Sequence, residues 1–263
     1  MEIKIDFTKS PQENAGDYYT KAKKLEQKRL GIEKTIADLE AKLEKSILTA
    51  TASGKAVTAP SIRQKKEWYE KFHWFFTSSG ALAIGGRDAQ QNEVLNSKYF
   101  DEGDLFFHAD IFGASVVVLK GGVSASDTAK LEAAQFAASY SSAWKAGLSS
   151  VDVYAMRRGQ VSKSTSKGSL GTGSFLLSGE REWYRGTELG LAAFSEGGKL
   201  KVVPMLTVEK LHASGIASKF VELGIGKEKK SDAAKRISKA LGVDDLDSII
   251  QQLPAGEFSV IVH

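Results

Sequence analysis

The chain of 263 residues has no cysteine, only 4 prolines and 3 methionines, and no apolar run long enough to cross a bilayer. Without cysteine a disulfide scaffold is excluded, and so is the thiolate chemistry on which most structural zinc sites depend. No signal-peptide pattern or lipid-anchor motif is evident, so a soluble cytoplasmic protein is expected, with no membrane partner. Strong charge of one sign is also lacking. A net charge of +4 and a pI near 9.0 are only mildly basic, so the distribution of cations says more than their total. The length allows one main domain with a sizeable core plus appendages.

What is present concentrates between Lys71 and Lys120, where glycines and polar residues interrupt strand-like runs. Trp74-Phe75-Phe76 leads through Ser79-Gly80 into Ala81–Ile84, which predicts a hairpin with glycine in the turn. Gly85-Gly86 then precede Arg87, Asp88, Gln91 and Asn92. Two glycines let a backbone approach a ligand closely, and arginine supplies a planar cationic fork, a combination that suits phosphate. The same pair reads equally as a structural salt bridge tying down a loop. Further on, His108 and Asp110 follow Leu105-Phe106-Phe107, and alternation puts them on one face, with Ser115 and Lys120 beyond. A histidine in such a run is ordinarily a hydrogen-bonded edge or core residue. His73, Asp88, His108 and Asp110 lack the tight spacing of metal ligands, so no metal is expected.

Thr8-Lys9-Ser10-Pro11 supplies a cap and a first-turn proline, and residues 17–48 carry a heptad stripe of Tyr18, Leu25, Ile32 and Leu39 with Ala22, Ile36 and Leu43. A linker over Thr49–Pro60 and a second helix over Ser61–Lys71 would complete a helical hairpin, a candidate for self-association or a protein partner. Ser126-Asp127 opens a helix whose face is Leu131, Ala134, Ala138 and Tyr140 or Ser141, with Gly147 as its C-cap, and Val151–Met156 predicts a strand. Between Val153 and Gly179 stand Arg157, Arg158, Lys163 and Lys167, hydroxyl donors including Ser174, three turn glycines and no acid. This stretch is the main electrostatic candidate for phosphate, or else a solvated surface loop. Its GxxGxG pattern lacks a nucleotide P-loop ending and a ribose carboxylate, so neither ATP nor NAD is inferred, and no cofactor or small-molecule substrate is expected.

From Thr187 a small α/β appendage is expected. It has strands at Leu200–Met205, Phe220–Leu223 and Phe258–Val262, and helices at Val208–Ala217, Ser231–Leu241 and Asp244–Leu253. Between Lys227 and Lys239 the cations cluster at a helix start, which fits either a solvated face or a backbone phosphate. The expected fold is α+β, a mostly antiparallel sheet domain with one packed helix. Its divisions are a strand or linker over 1–16, a helical hairpin or coiled coil over 17–71, a sheet domain over 72–186 and an α/β region over 187–263.

The motifs IGGRDAQQNE (84–93), GDLFFHADIFGASVVVLK (103–120) and KGSLGTGSF (167–175) fall in one order that resembles the RNA-binding region of the NFACT family. The opening residues resemble the segment entering that family's coiled coil, and the end resembles archaeal members. The resemblance implies the C-terminal half of a ribosome quality-control factor, with tRNA and the large ribosomal subunit as partners and no catalysis of its own. The family's N-terminal tailing residues have no counterpart to carry over. On this reading Arg87, Lys163 and Lys167 are expected as principal phosphate contacts, with Asp88 orienting Arg87 and with His108, Asp110 and Ser115 on the same surface. Two other classes remain open: a metal-dependent nuclease using Asp88, Glu93, Asp104, His108 or Asp110, and a module acting through its heptad helix alone.

Overall fold

A computed structural model describes residues 6–52, 67–165 and 168–263, in two compact units, Met1–Lys65 and Lys66–His263. Among its described residues the first unit holds one helix, α1 (Pro11–Ala52). Its start is fixed by a reciprocal cap in which Ser10 N donates to Glu13 Oε2 at 2.8 Å and Glu13 N donates to Ser10 Oγ at 3.3 Å. The helix therefore begins at Pro11, where the Ser10 cap and first-turn proline lead one to expect it; it takes in residues 11–16 of the strand or linker expected over 1–16 and runs on through 49–51, where a linker is expected. The side chains of Leu25, Ile32 and Ile36 on the heptad stripe are exposed. Residues 61–66 of the expected return helix lie outside the described residues. Its last part, Glu67–Lys71, forms turns, with Glu70 N donating to Glu67 O and Phe72 N to Tyr69 O.

The second unit begins with β1 (His73–Phe76) and β2 (Leu82–Gly85), paired as the hairpin expected, with Gly80 at φ 85° in the turn. Next come α2 (Ala89–Lys98), β3 (Leu105–Ala109), β4 (Val117–Leu119), α3 (Asp127–Ser139), α4 (Ser142–Ala146) and β5 (Ser150–Arg157). The short strands β6 (Val161–Ser162), β7 (Ser164–Thr165), β8 (Gly168–Ser169) and β9 (Leu176–Leu177) pair as two ribbons, β6 with β9 and β7 with β8. The chain ends with β10 (Glu182–Glu188), β11 (Leu191–Glu196), β12 (Lys199–Pro204), α5 (Met205–Ala213), β13 (Phe220–Glu228), α6 (Lys230–Leu241), α7 (Leu246–Gln252) and β14 (Phe258–Val262).

Two antiparallel sheets result, a six-stranded one in the order β1-β2-β4-β3-β5-β10 and a four-stranded one in the order β12-β11-β13-β14. The fold class is α+β. Helix α3 packs on β3, β4, β5 and β10 of the first sheet and on β12 of the second. Its alanines Ala129, Ala133, Ala134, Ala137 and Ala138 are buried and allow that close approach, whereas Leu131, expected on the packed face, is exposed. One apolar core runs from Phe75 and Phe107 through Phe136 to Phe194 and Phe258, so the expected boundary at 186–187 falls inside β10 and within that packing. A second, smaller core on the other side of the first sheet joins Phe72, Ile84, Leu95, Phe100, Phe106 and Met156. Covered on both sides, β3 has buried residues at four of its five positions rather than a simple alternation.

Ser141 explains why the expected single helix is two. Its Oγ donates to Ala138 O at 2.6 Å and accepts from Ala143 N at 3.2 Å, ending α3 and capping α4, which stops at Gly147 with φ 74°. Helix α2 lies where no element is expected, and Asp88 starts it by accepting from Gln91 N at 2.8 Å.

Candidate nucleic-acid interface

At Gly86 the GGRD turn packs inward. A Cβ at Gly86 would collide with Asn92 Oδ1, the same oxygen that accepts from Val116 N at 3.1 Å. The second glycine thus makes room for a buried asparagine that bridges α2 to the segment before β4. Gln91 performs a similar task, its Oε1 accepting from Arg87 N at 3.1 Å and its Nε2 donating to Lys71 O at 3.3 Å. Asp88 is spent as the helix cap and does not orient Arg87. The Arg87 guanidinium is half-buried, and its Nη2 donates to Phe72 O at 3.1 Å.

Lys163, expected at phosphate, and Lys120, expected among the RNA-binding residues, are committed elsewhere. The three ammonium hydrogens of Lys163 are met by Glu93 Oε2 at 3.0 Å, Gly171 O at 2.7 Å and Ser174 O at 3.4 Å, so it ties the Gly/Ser-rich segment to α2. Lys163 beside Glu93 holds that carboxyl below its ordinary range, and the Gly173 N–H adds to this. Within the acid-free stretch the charge of Lys163 is therefore balanced by an acid from α2, far away in sequence. Lys120 donates to Tyr99 O at 3.0 Å, to Asp101 Oδ2 at 2.8 Å and to the buried Asp104, a tether rather than a contact surface. Lys167 lies outside the described residues.

The carboxylates considered for a nuclease are dispersed: Asp88 on Gln91 N, Glu93 on Lys163, Asp104 on Lys120 and Gly121 N, and Asp110 3.9 Å from Arg181. Among the described residues no group of three or more His, Cys, Asp or Glu is placed to hold a metal ion.

A different arrangement comes together on the face of β3, β5 and β10. The register sets His108 opposite Tyr154 and Tyr154 opposite Trp183, a cross-strand row of three rings. Tyr154 Oη and His108 Nδ1 are 3.3 Å apart, and the Tyr154 and Trp183 rings meet edge-on with centroids 5.5 Å apart. Burial lowers the affinity of His108 for a proton below the ordinary, so the ring is neutral at physiological pH.

Exposed arginines close this row at its edge. The Arg181 guanidinium lies 4.4 Å from the centre of the Tyr154 ring and 5.6 Å from that of Trp183, and Arg185 lies 3.7 Å from Trp183. Arg185 Nη1 also donates to Asp152 Oδ2 at 2.6 Å, which leaves most of its donors unused. Exposed Arg157 and half-buried Arg158 stand at the end of β5, the latter 5.3 Å from the Phe100 ring with its Nη1 donating to Val161 O. Exposed Asp110 and half-buried Ser115 flank the row where β3 leads toward β4, and exposed Ser174 lies in the Lys163-tied segment. Arg181, Trp183 and Arg185 are the residues that sequence reasoning missed. Their spacing at every second position, from the residue before β10 into the strand, is the signal available.

Residues 71–179, which contain the GGRD turn, His108, Tyr154 and Lys163, match the family described as NFACT protein RNA binding domain. The chain is 37% identical over 206 residues to the Archaeal Rqc2 homolog aRqcH of Methanocaldococcus jannaschii, a match that covers 76% of this chain and 30% of that protein. It is 34% identical over 188 residues to the Ribosome quality control complex subunit NEMF homolog of Drosophila melanogaster, covering 69% and 18%. To Ribosome quality control complex subunit NEMF of Homo sapiens it is 36% identical over 176 residues, covering 63% and 16%. The matches thus take in less than a third of the length of these relatives. With that domain bearing the motifs in their expected order and similarity extending on both sides of it, the chain carries the RNA-binding domain of the NFACT family.

Proposed function

We propose that this chain is a non-enzymatic, cytoplasmic RNA-binding module that works with the ribosome, with tRNA and the large subunit as its partners. The carrying observation is the row His108–Tyr154–Trp183 with Arg181 and Arg185 laid against its rings. Planar cations backed by aromatic rings offer phosphate a fork held in place, and half-buried Trp183 at the outer end of the row offers an unpaired base a ring to stack on, Tyr154 itself being buried. Arg157 and Arg158 extend the cationic edge, Asp152 holds Arg185 in position, and Asp110 lies beside Arg181. The matched RNA-binding domain and the ribosome quality-control names of the relatives support this reading.

Fluorescence anisotropy with labelled tRNA over a series of salt concentrations tests it. Binding is expected to weaken linearly in log–log form as salt rises, and the arginine variants Arg181→Ala and Arg185→Ala are expected to flatten that slope. An unchanged slope and affinity in the double variant would sink the assignment. Exposed Leu25, Ile32 and Ile36 on α1 favour an added role for that helix as a protein-contact arm. Ribosome co-sedimentation after deletion of residues 17–48 measures that role, and retention of ribosome binding would remove it.

A further inference from the structure

We propose that Arg87, His73 and Lys230 form an anion site, apart from the arginine–aromatic face, that takes a phosphate group. Two features far apart in the sequence converge there: the GGRD turn and the basic start of α6. The contacts that join them are continuous. Arg87 Nη2 donates to Phe72 O, next to His73; the His73 ring lies on the Tyr140 ring with centroids 4.1 Å apart. Tyr140 Oη donates to Gln252 O at 2.6 Å, and the neighbouring Leu253 O accepts from Lys230 Nζ at 2.9 Å. Lys230 is the first residue of α6, whose N-terminus carries no side-chain cap.

Two cations and a histidine are gathered here with hydrogen-bonding capacity left over. Arg87 Nε and His73 Nδ1 are buried and have no hydrogen-bond partner. Such orphaned atoms are rare in a folded protein and call for a missing partner. One of the five guanidinium hydrogens and one of the three ammonium hydrogens are accounted for by the two carbonyls, so several donors remain. Burial lowers the proton affinity of both Arg87 and Lys230. Among the described residues no carboxylate offsets this for either, and the Arg87 charge adds to the effect on Lys230. Burial, then the Arg87 and Lys230 charges, push His73 down to about 3. A bound anion would reverse each of these effects. The guanidinium fork and the double positive charge match a tetrahedral, multiply charged oxyanion better than a single carboxylate.

The site does not depend on the RNA-binding face, because inorganic phosphate is itself a probe. The test is NMR of the labelled chain, following the Arg87 Nε–H and His73 ring signals during titration with inorganic phosphate against sodium chloride at matched ionic strength. Parallel titrations use a short RNA carrying a 5′-phosphate and the same RNA ending in a 5′-hydroxyl. Saturable movement of both signals by phosphate is expected, with the His73 proton affinity rising. A response confined to the phosphorylated RNA assigns the group to a strand end, and an equal response to both RNAs assigns it to the backbone. Arg87→Gln and Lys230→Gln are each expected to weaken phosphate binding about tenfold. If Arg87→Gln loses its fold with the Phe72 tether, Lys230→Gln alone carries the measurement. Signals that move no further with phosphate than with chloride, or unchanged phosphate affinity in folded Lys230→Gln, would overturn the site.

Discussion

The segment 161–179 and the edge of the first sheet at β10 are both cationic, yet they use their charges in opposite ways. In the first, Lys163 is surrounded by three acceptors and holds a Gly/Ser-rich segment to α2. In the second, Arg181 and Arg185 rest on rings and keep most of their donors toward solvent. A cation available to a ligand is therefore one whose donors the fold has not already filled, and local sequence composition does not report that count. The comparison extends to Lys120, which looks like a contact residue in its motif and serves as a tether in the fold.

The largest expected effect comes from breaking a tether. Lys120→Met would leave Asp104, 3% exposed, without its cation. Loss of one partner from such a pair costs about 3 kcal/mol. Urea unfolding should register the loss, while RNA affinity per folded molecule should stay unchanged. A normal stability together with weakened RNA binding would move Lys120 to the other side of the comparison.

On the available side, Trp183→Ala removes the ring that backs Arg185 and faces Tyr154. If an unpaired base stacks in this row, affinity for single-stranded RNA should fall by about 1–3 kcal/mol, with a smaller loss for duplex RNA. Equal losses on both substrates would show that Trp183 only positions the arginine. Arg181→Ala is milder, since its partner Asp110 sits at 3.9 Å. The expected change is a drop of about 0.7–0.9 in the salt slope, equivalent to one phosphate contact, and anisotropy at several salt concentrations measures it.

Local signals carried much of the fold. Gly80 in the first turn, Ser126 at the start of α3, Gly147 after α4 and Gly242 after α6 each sit where backbone chemistry requires them, and all are readable from their neighbours. Helix α2 was hidden because its capping Asp88 and its tether Gln91 look like ligand-binding polar residues, and its buried Asn92 and Asn96 break the apolar period. The site was less legible for a different reason. Glu93 meets Lys163, and the Arg87 charge acts on Lys230, across long stretches of chain, so the charge balance of each group is set by the tertiary fold. Nor does sequence alternation alone tell which face of β10 is covered and which is left to solvent.

The smallest effect gives the sharpest contrast with the arginines. Lys163→Met should leave both RNA affinity and its salt slope unchanged, because the ammonium has no donor to offer a phosphate. Its consequence should appear in stability and in Glu93. With Lys163 present, the Glu93 carboxyl is held below its ordinary range. Folding therefore gains from that pair above the unfolded value and loses the gain as pH falls through the folded one. In Lys163→Met the Glu93 carboxyl should titrate at higher pH by NMR, and this part of the acid sensitivity of the melting temperature should shrink. A fall in the salt slope comparable to that of Arg181→Ala would mean that Lys163 leaves Glu93 when RNA arrives, and the division between tethering and contacting cations would then fail in this segment.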